Sequence, residues 1–147
     1  TVQSDYHPAP PELTAEERAA RRAARRTALS TITVDPAWEE ALTGVEDFSH
    51  LIILWMGTQH DGQMALTLRP GRFEHLPEVG LFATRTPVRP NPINCTVVRI
   101  VARDGTTLTV EGLDAWDGTA VLDIKPYLPR PDVDRDFTPA DWLATLR

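Results

Sequence analysis

The chain has 147 residues, of which 41% are hydrophobic and 24% charged, a composition that favours one soluble domain with its own core. Its formal net charge of −6 argues against a wholly basic protein that coats nucleic acid. No apolar run approaches the roughly 20 residues that cross a membrane, so we expect no membrane partner. The single cysteine, Cys95, excludes an internal disulfide and fits the cytoplasm, where we expect the protein.

The first predicted helix is "ELTAEERAARRAARRTAL", with Thr14 as the N-cap and Glu17 at the capping-box position. At about 100° per residue, five of the 14 arginines fall on one arc of this helix, opposite a stripe of alanines: Arg18, Arg21, Arg22, Arg25 and Arg26. Such an arc is either a solvated face or a phosphate-binding stripe for RNA or another polyanion. We take these arginines as candidate RNA contacts.

The next segments alternate between strand and helix patterns. "STITV" is predicted as a strand, and "DPAWEEALTGV" as a short helix that Asp35 caps and Gly44 ends. "HLIILWM" is a continuous apolar run, which predicts a central strand buried on both faces. "MALTL" alternates and predicts a further strand.

The second half is dominated by strand patterns. "CTVVRIVAR" and "TTLTVEGL" flank Asp104-Gly105, a two-residue hairpin signal whose register would place Val101 opposite Leu108 and Arg99 opposite Val110. "WDGTAVLDI" predicts a turn and a strand, and "TPADWLATLR" a short helix. Because strands outnumber helices and short turns join them, we expect a mainly β (α+β) fold, an antiparallel β-barrel or sandwich with peripheral short helices.

Several common site chemistries are missing from the sequence. No glycines are spaced as G-x-G, which excludes a dinucleotide fingerprint and a P-loop, and no G-x-S-x-G elbow occurs. The histidines and Cys95 show no pair at metal-ligand spacing, so we expect no metal. Cys95 opens an apolar strand, where a buried free cysteine is the usual interpretation.

Three polar segments remain as candidates. "RTPVRPNPINC" (residues 85–95) holds three prolines, so its backbone is stiff and presents its cations and amide rigidly. In "GLDAWDGTAVLDIKPYLPRPD", alternation puts Asp123 and Lys125 on one face of a strand, although its carboxylates also suit turns and caps. The third candidate is His50, at the start of a strand, where a histidine is either a core residue or a functional one.

The motifs "GLFATRTPVRPNPINCTVV" and "GLDAWDGTAVLDIKPYLP", with the upstream "TVDPAWEEALTGVEDFSHLIIL", resemble the TrmO (YaeB) family over residues 32–132. The resemblance implies a homodimeric β-barrel methyltransferase that uses S-adenosyl-L-methionine without a Rossmann fold. It also implies N6-methylation of a threonylcarbamoyl-adenosine beside the tRNA anticodon. We expect one such domain over residues 1–147, with an N-terminal arm and helix (1–28), a barrel core (29–132) and a tail (133–147).

The resemblance also assigns residues to roles. The implied cofactor-binding residues are Arg85, Arg89, Pro90, Asn91, Pro92, Ile93, Asp114 and Asp123. The implied catalytic residues are Asp117, Lys125, Tyr127 and His50. Asn94 departs from the family pattern, which has glycine there, and the strand after His50 ends in Met56 and Gly57 where the family has aromatic residues. This altered strand and the negative net charge make a small-molecule methyl acceptor an alternative to tRNA. A non-catalytic module that binds S-adenosylmethionine or RNA is a second alternative.

Overall fold

The computed structural model describes residues 1–4, 13–57, 64–70, 75–129 and 138–146. Internal contacts divide the chain into two compact units. Unit 1 comprises Thr1–Gly57 and Ile93–Tyr127, and unit 2 comprises Thr58–Pro92 and Leu128–Arg147. The predicted boundary between residues 132 and 133 lies outside the described residues.

The described residues form one α-helix, α1 (Ala15–Thr27), several short 3₁₀ helices and eight strands. The strands are β1 Val2–Ser4, β2 Leu29–Thr33, β3 His50–Met56, β4 Thr67–Leu68, β5 Val79–Gly80, β6 Ile93–Asp104, β7 Thr107–Glu111 and β8 Val121–Pro126. In unit 1, six of them form an antiparallel sheet in the order β1-β2-β7-β6-β3-β8.

The sheet of unit 1 curls into a half-barrel. The amide of Val2 on the first strand donates to the carbonyl of Thr119 at 3.0 Å, and the amide of Gly118 donates to Val2 at 2.9 Å. The strand at one end of the sheet therefore contacts the segment that leads into the strand at the other end. The prediction of a mainly antiparallel β fold with short peripheral helices is confirmed.

Strand β3 lies inside the sheet and pairs with β6 on one edge and β8 on the other. Leu51 and Ile53 are 0% exposed, whereas Ile52 and Leu54 between them are only half-buried. The prediction of a central strand is confirmed, but full burial of both its faces is wrong. Alternate side chains of a strand point to opposite faces, and the core lies on one side of the curled sheet.

The two predicted helix N-caps are present in the structure. At the start of α1, the Glu17 amide donates to Thr14 Oγ1 at 3.2 Å, and the Thr14 amide donates to Glu17 Oε2 at 2.7 Å. Asp35 accepts from the amide of Ala37 at 2.9 Å and caps the helix Pro36–Leu42, which is 3₁₀ rather than α. Capping uses residues at most three positions apart, so sequence alone predicts it well.

The predicted register of the β6–β7 hairpin is wrong. Asp104 pairs with Thr107 and Arg103 with Leu108, so the turn is Gly105-Thr106 rather than Asp104-Gly105. The register then shifts between Ile100 and Ala102. Gly105 has a φ of +55°, a turn conformation that glycine adopts without strain. The register shift is a bulge that accommodates one extra residue in β6.

Unit 2 has little regular structure within its described residues. Its strands β4 and β5 pair with each other over two residues each. The strand predicted for residues 64–68 is thus only Thr67–Leu68, and Met64 and Leu66 in that segment are exposed. Its last 3₁₀ helix, Asp141–Leu146, begins later than the pattern predicts. Alternation without burial does not by itself extend a strand.

Replacing Gly118 by alanine is expected to lower the free energy of unfolding by about 1–2 kcal/mol, the cost of a Cβ in the left-handed region. Gly118 has a φ of +75° in the Asp117-Gly118 turn that contacts β1. Gly80→Ala is the matched control, because Gly80 has a φ of −62° and an added Cβ would meet nothing within 4 Å. Urea denaturation of both variants measures the difference, and equal stabilities would contradict the strained turn.

Candidate functional site

The proline-rich loop of unit 2 uses its two arginines differently. Arg89 Nη1 donates to the carbonyl oxygens of Thr84 at 2.8 Å and Thr86 at 3.4 Å. Its guanidinium carbon also lies 5.6 Å from the ring centroid of Phe82, a cation–π contact. Arg85 is exposed. Arg89 therefore braces the loop, while Arg85 is presented to solvent.

The other predicted binding residues of this loop are small or rigid. Pro90 and Asn91 are exposed, and Pro92 is half-buried at the end of unit 2. Proline holds its own φ near −65°, so the loop loses little conformational entropy when a ligand contacts it. These properties suit a preformed binding segment.

On β8, Asp123 and Lys125 lie on one face of the strand, as predicted, and they form an ion pair. Lys125 Nζ lies 2.5 Å from Asp123 Oδ2, and the Ile124 amide donates to Asp123 Oδ1 at 2.8 Å. The hydrogen bond from Lys125, with the Ile124 amide and the Lys125 charge, lowers the pKa of Asp123 below its ordinary value. Asp123 is therefore a firmly ionised carboxylate that remains 42% exposed.

Removal of the Lys125 charge is expected to raise the pKa of Asp123 toward its ordinary value. Because folding lowers this pKa, the pair stabilises the protein at neutral pH, and that stabilisation disappears as pH falls through the folded-state pKa. A carboxyl-carbon NMR titration should show a higher midpoint in Lys125→Gln and a nearly unchanged one in Lys125→Arg. An equal midpoint in the wild type and Lys125→Gln would contradict the pairing.

Tyr127, the residue that follows β8, lies beside His50 at the start of β3. Their ring centroids are 6.5 Å apart with an interplanar angle of 62°, and the Tyr127 amide donates to the His50 carbonyl oxygen at 3.1 Å. His50 Nδ1 and Ser49 Oγ share a hydrogen bond of 2.9 Å. The structure thus brings together two of the predicted catalytic residues, with Lys125 two positions before Tyr127.

The side chain of Asp117, which lies in the Asp117-Gly118 turn, contacts the backbone of β1. Its Oδ1 accepts from the amide of Ser4 at 3.1 Å, while the neighbouring Gly118 amide donates to Val2. The Asp117 carboxylate therefore holds β1 against the Asp117-Gly118 turn, which is the turn-forming alternative that the sequence leaves open.

Asp114 belongs to a half-buried chain of hydrogen bonds. Trp55 Nε1 donates to Thr96 Oγ1 at 3.1 Å, and Thr96 Oγ1 donates to Asp114 Oδ1 at 2.5 Å. Arg25 Nη1 donates to Asp114 Oδ2 at 2.9 Å. The partners are separated by 18 to 89 residues in the chain, so no local signal in the sequence indicates Trp55 or Thr96.

The arginine stripe of α1 divides into two groups. Arg25 pairs with Asp114, and Arg21 is half-buried. Arg18, Arg22 and Arg26 are exposed, and Arg18 Nε donates to the carbonyl oxygen of Leu13 at 2.9 Å. The stripe is therefore an anchor along one side and a solvent-facing cationic surface along the other.

Ile93 lies on an apolar face of the sheet, opposite the core. Cross-strand pairs between β3 and β6 put eight residues on this outer face, of which His50 and Arg99 lie at one end and the other six are Ile52, Leu54, Met56, Ile93, Cys95 and Val97. Lys125 and Asp123 of β8 border the same face, because they pair with Ile52 and Leu54. Met56, Ile93 and Val97 are 38, 50 and 44% exposed. Cys95 is exposed as well, so the expectation of a buried cysteine is wrong, because its position in β6 points away from the core.

Two further properties concern only the residues that the structure describes. Within them, no three histidine, cysteine, aspartate or glutamate side chains lie close enough to hold a metal ion. No helix in the same ranges has the length and apolar character to cross a membrane.

Unit 1 is therefore an antiparallel β half-barrel. An ion pair lies on its strand β8, and two aromatic polar side chains contact each other beside the end of that strand. The family model of the tRNA-methyltransferase O N-terminal domain matches residues 13–133. The chain belongs to this family, and the resemblance of its motifs to TrmO is confirmed.

Similar proteins and solved structures support the assignment of the chain to this family. The chain is 42% identical over 113 residues to a probable S-adenosyl-L-methionine-binding protein of Pyrococcus abyssi, covering 77% of this chain and 59% of the relative. It is 43% identical over 95 residues to the tRNA (adenine(37)-N6)-methyltransferase of Escherichia coli, covering 61% and 40%. The crystal structure of TrmO from Pseudomonas aeruginosa matches with a TM-score of 0.69 and 29% identity, covering 95% and 58%. The chain thus spans about half the length of these three proteins.

Proposed function

We propose that the protein is an S-adenosylmethionine-dependent methyltransferase that methylates N6 of threonylcarbamoyl-adenosine next to the tRNA anticodon. The observation that carries the proposal is the family match over residues 13–133, which contains both sequence motifs. The Escherichia coli relative is named a tRNA (adenine(37)-N6)-methyltransferase, which supports the acceptor. Several relatives are named S-adenosyl-L-methionine-binding proteins, which supports the cofactor.

The chemistry of the candidate residues fits this cofactor, which when bound supplies a methyl group activated by a sulfonium. In unit 1, the partly exposed carboxylate of Asp123 suits the cofactor's ammonium or ribose hydroxyls. Asp114, which accepts from Thr96 of β6 and from Arg25, is a second carboxylate for the same groups. In unit 2, the exposed Arg85 suits a carboxylate or phosphate, and Pro90–Pro92 a rigid contact. Each assignment rests on the contacts within one unit.

Methyl transfer is an in-line displacement, so the protein contributes mainly positioning and electrostatics. We assign His50 and Tyr127, which contact each other, to accept the proton that the acceptor nitrogen loses as it takes the methyl group. Lys125 pairs with Asp123 and lowers its pKa further, through its hydrogen bond and its charge. Asp117 is a positioning residue, because its carboxylate accepts from the backbone of β1.

We further propose that the protein acts as a homodimer in which the outer apolar face covers its counterpart on a second copy. Exposed apolar patches of this kind mark association surfaces. Val97→Lys puts a charge on this face without touching the core, so sedimentation should show a lighter species than the wild type. Val101→Lys, at the exposed bulge of the same strand, is the matched control.

Calorimetry with S-adenosylmethionine tests the cofactor first. Asp123→Asn should weaken binding by about 10- to 100-fold, the range for losing a charged hydrogen bond. Asp104→Asn, at an exposed end of β6, is the matched control and should bind normally. Absence of heat with the wild type would overturn the methyltransferase proposal.

Nucleoside mass spectrometry of tRNA then tests the acceptor. A strain that lacks the gene should lose the methylated threonylcarbamoyl-adenosine and regain it with the wild-type gene. Cofactor binding with an unchanged level of this nucleoside would instead favour the small-molecule acceptor, for which Asn94 at the family's glycine position is the supporting observation. Cofactor binding without transfer to either class of acceptor would favour a non-catalytic binding module.

A further inference from the structure

Unit 2 holds one aromatic ring mostly in solvent. Phe82 lies in the short 3₁₀ helix Leu81–Ala83 and is 76% exposed, whereas Leu81 beside it is buried. Among the phenylalanines and tryptophans that the structure describes, the next most exposed is Trp38, at 65%. Single apolar side chains on a surface are common, so the groups around Phe82 decide what its ring can bind.

The backbone that carries Phe82 is fixed by hydrogen bonds on both sides. The Leu81 amide donates to the carbonyl oxygen of Leu66 at 2.9 Å. The amide and the Oγ1 of Thr84 both donate to the Leu81 carbonyl oxygen, at 3.1 and 2.8 Å. The ring therefore projects from a preformed turn, and a ligand that contacts it does not have to order the backbone first.

The guanidinium of Arg89 lies against the ring of Phe82. Its central carbon is 5.6 Å from the ring centroid, and its Nη1 donates to the carbonyl oxygens of Thr84 and Thr86, which hold it there. Because Phe82 is 76% exposed, the guanidinium leaves most of the ring in contact with solvent. Aromatic rings and guanidinium groups are the two kinds of side chain on which RNA bases stack.

The charge around Phe82 is positive, whereas the charge around Trp38 is negative. Residues 79–92 contain two arginines and no aspartate or glutamate. Residues 35–42, which include Trp38, contain three acidic residues and no basic one. An RNA strand carries a negative charge on each phosphate, so it is attracted to the ring of Phe82 and repelled from the indole of Trp38.

From these observations we infer that Phe82 is a stacking surface for an unpaired base of the RNA acceptor, with Arg89 as the positioning residue beside it. The inference rests on the proposed RNA acceptor and names a residue that holds it. Bases within a duplex are already stacked on both faces, so such a surface selects single strands and loops. Every base has a face that stacks, so Phe82 adds affinity without reading a particular sequence.

Fluorescence anisotropy with one labelled RNA of about 12 nucleotides, alone and paired with its complement, tests the inference. Phe82→Ala should weaken binding of the single strand by about fivefold or more, the loss expected for one base stacked on an aromatic ring. Its affinity for the duplex should change by less than about twofold, since the duplex offers no free base face. The slope of log affinity against log salt should stay the same, because no phosphate contact is removed. No binding of the single strand by the wild type, equal affinities of wild type and variant for it, or a changed slope would overturn the inference.

Three further variants separate stacking from a general loss of apolar surface. Phe82→Leu should lose as much affinity as Phe82→Ala, because leucine has no ring face, whereas Phe82→Trp should bind within about twofold of the wild type. A stacked base quenches indole emission, so RNA should quench Phe82→Trp more strongly than the wild type. Trp38→Ala is the matched control, since it removes an exposed aromatic ring from acidic surroundings, and it should bind the single strand normally. Full affinity in Phe82→Leu would contradict stacking.

Two other occupants of the ring surface give different results. Calorimetry should show that Phe82→Ala binds S-adenosylmethionine as the wild type does, and a loss of cofactor affinity would assign the ring to the adenine of the cofactor. Sedimentation should show the same species for both proteins, and a lighter species for Phe82→Ala would assign the ring to a contact between two copies of the chain. Either result would overturn the inference.

The failure of this inference is distinguishable from the failure of the proposed function. If the wild type methylates tRNA and Phe82→Ala does so with the same kcat/KM, the proposed function stands while the stacking surface is wrong. If single-strand binding depends on Phe82 but deletion of the gene leaves the methylated nucleoside unchanged, the proposed function fails while the stacking surface stands.

Discussion

Replacing Ile53 by alanine is expected to lower the free energy of unfolding by about 3–4 kcal/mol, within the range for truncating a buried isoleucine. Ile53 is 0% exposed and lies between Thr96 of β6 and Ile124 of β8. Truncation removes apolar contacts and leaves a cavity where three strands meet, and their paired backbones cannot easily collapse into it. Equilibrium urea denaturation measures the change.

Ile52→Ala is the matched control for Ile53→Ala. The two isoleucines are neighbours in β3, but Ile52 lies on the outer face and is only half-buried. Its truncation should cost about 1 kcal/mol, because less apolar area leaves water on folding. If both variants lose the same free energy, the core does not lie on the Ile53 side of the sheet.

The double variant Arg22→Glu/Arg26→Glu is expected to weaken tRNA binding by at least about tenfold at 0.15 M salt. Both arginines lie on the exposed side of α1. If each contacts one phosphate, their loss should also reduce the slope of log affinity against log salt by about 1.5. Filter binding or fluorescence anisotropy over a series of salt concentrations measures both effects, and stability should change by less than about 0.5 kcal/mol.

Arg25→Gln is the control that separates binding from folding. Arg25 pairs with Asp114, so this variant should lose stability by about 1–2 kcal/mol, as for a charge-assisted hydrogen bond at a half-buried position. Its salt slope for tRNA should equal that of the wild type. An unchanged slope in the double variant would instead assign α1 a solvated face with no role in RNA binding.

The part of the fold that could be predicted from sequence is the part set by neighbouring residues. The Thr14–Glu17 capping box, the Asp35 cap and the Asp117-Gly118 turn all form where the sequence places them. Strand alternation also predicts that Asp123 and Lys125 share one face, although it does not predict their ion pair. Each of these features involves residues at most three positions apart, so the identities of those residues determine the local backbone geometry.

The β6–β7 register shows where local reasoning stops. Asp-Gly is a strong hairpin signal, yet Asp104 pairs within the ladder and Gly105 begins the turn. A register is chosen by how many apolar side chains it places on the core face, and a bulge can absorb one residue of mismatch. The number of apolar side chains that reach the core depends on both strands and on their neighbours. The Asp104-Gly105 dipeptide alone therefore does not determine the register.

The candidate site divides in the same way. The motifs alone identify the family and the chemical types of the candidate residues, and the three prolines predict a rigid loop. The contacts in the folded chain were needed to show that Arg89 braces its own loop and that Arg25 binds Asp114, 89 residues away. The physical reason is that a charge or an aromatic ring acquires its role from the groups that pack against it, and those groups come from distant parts of the chain.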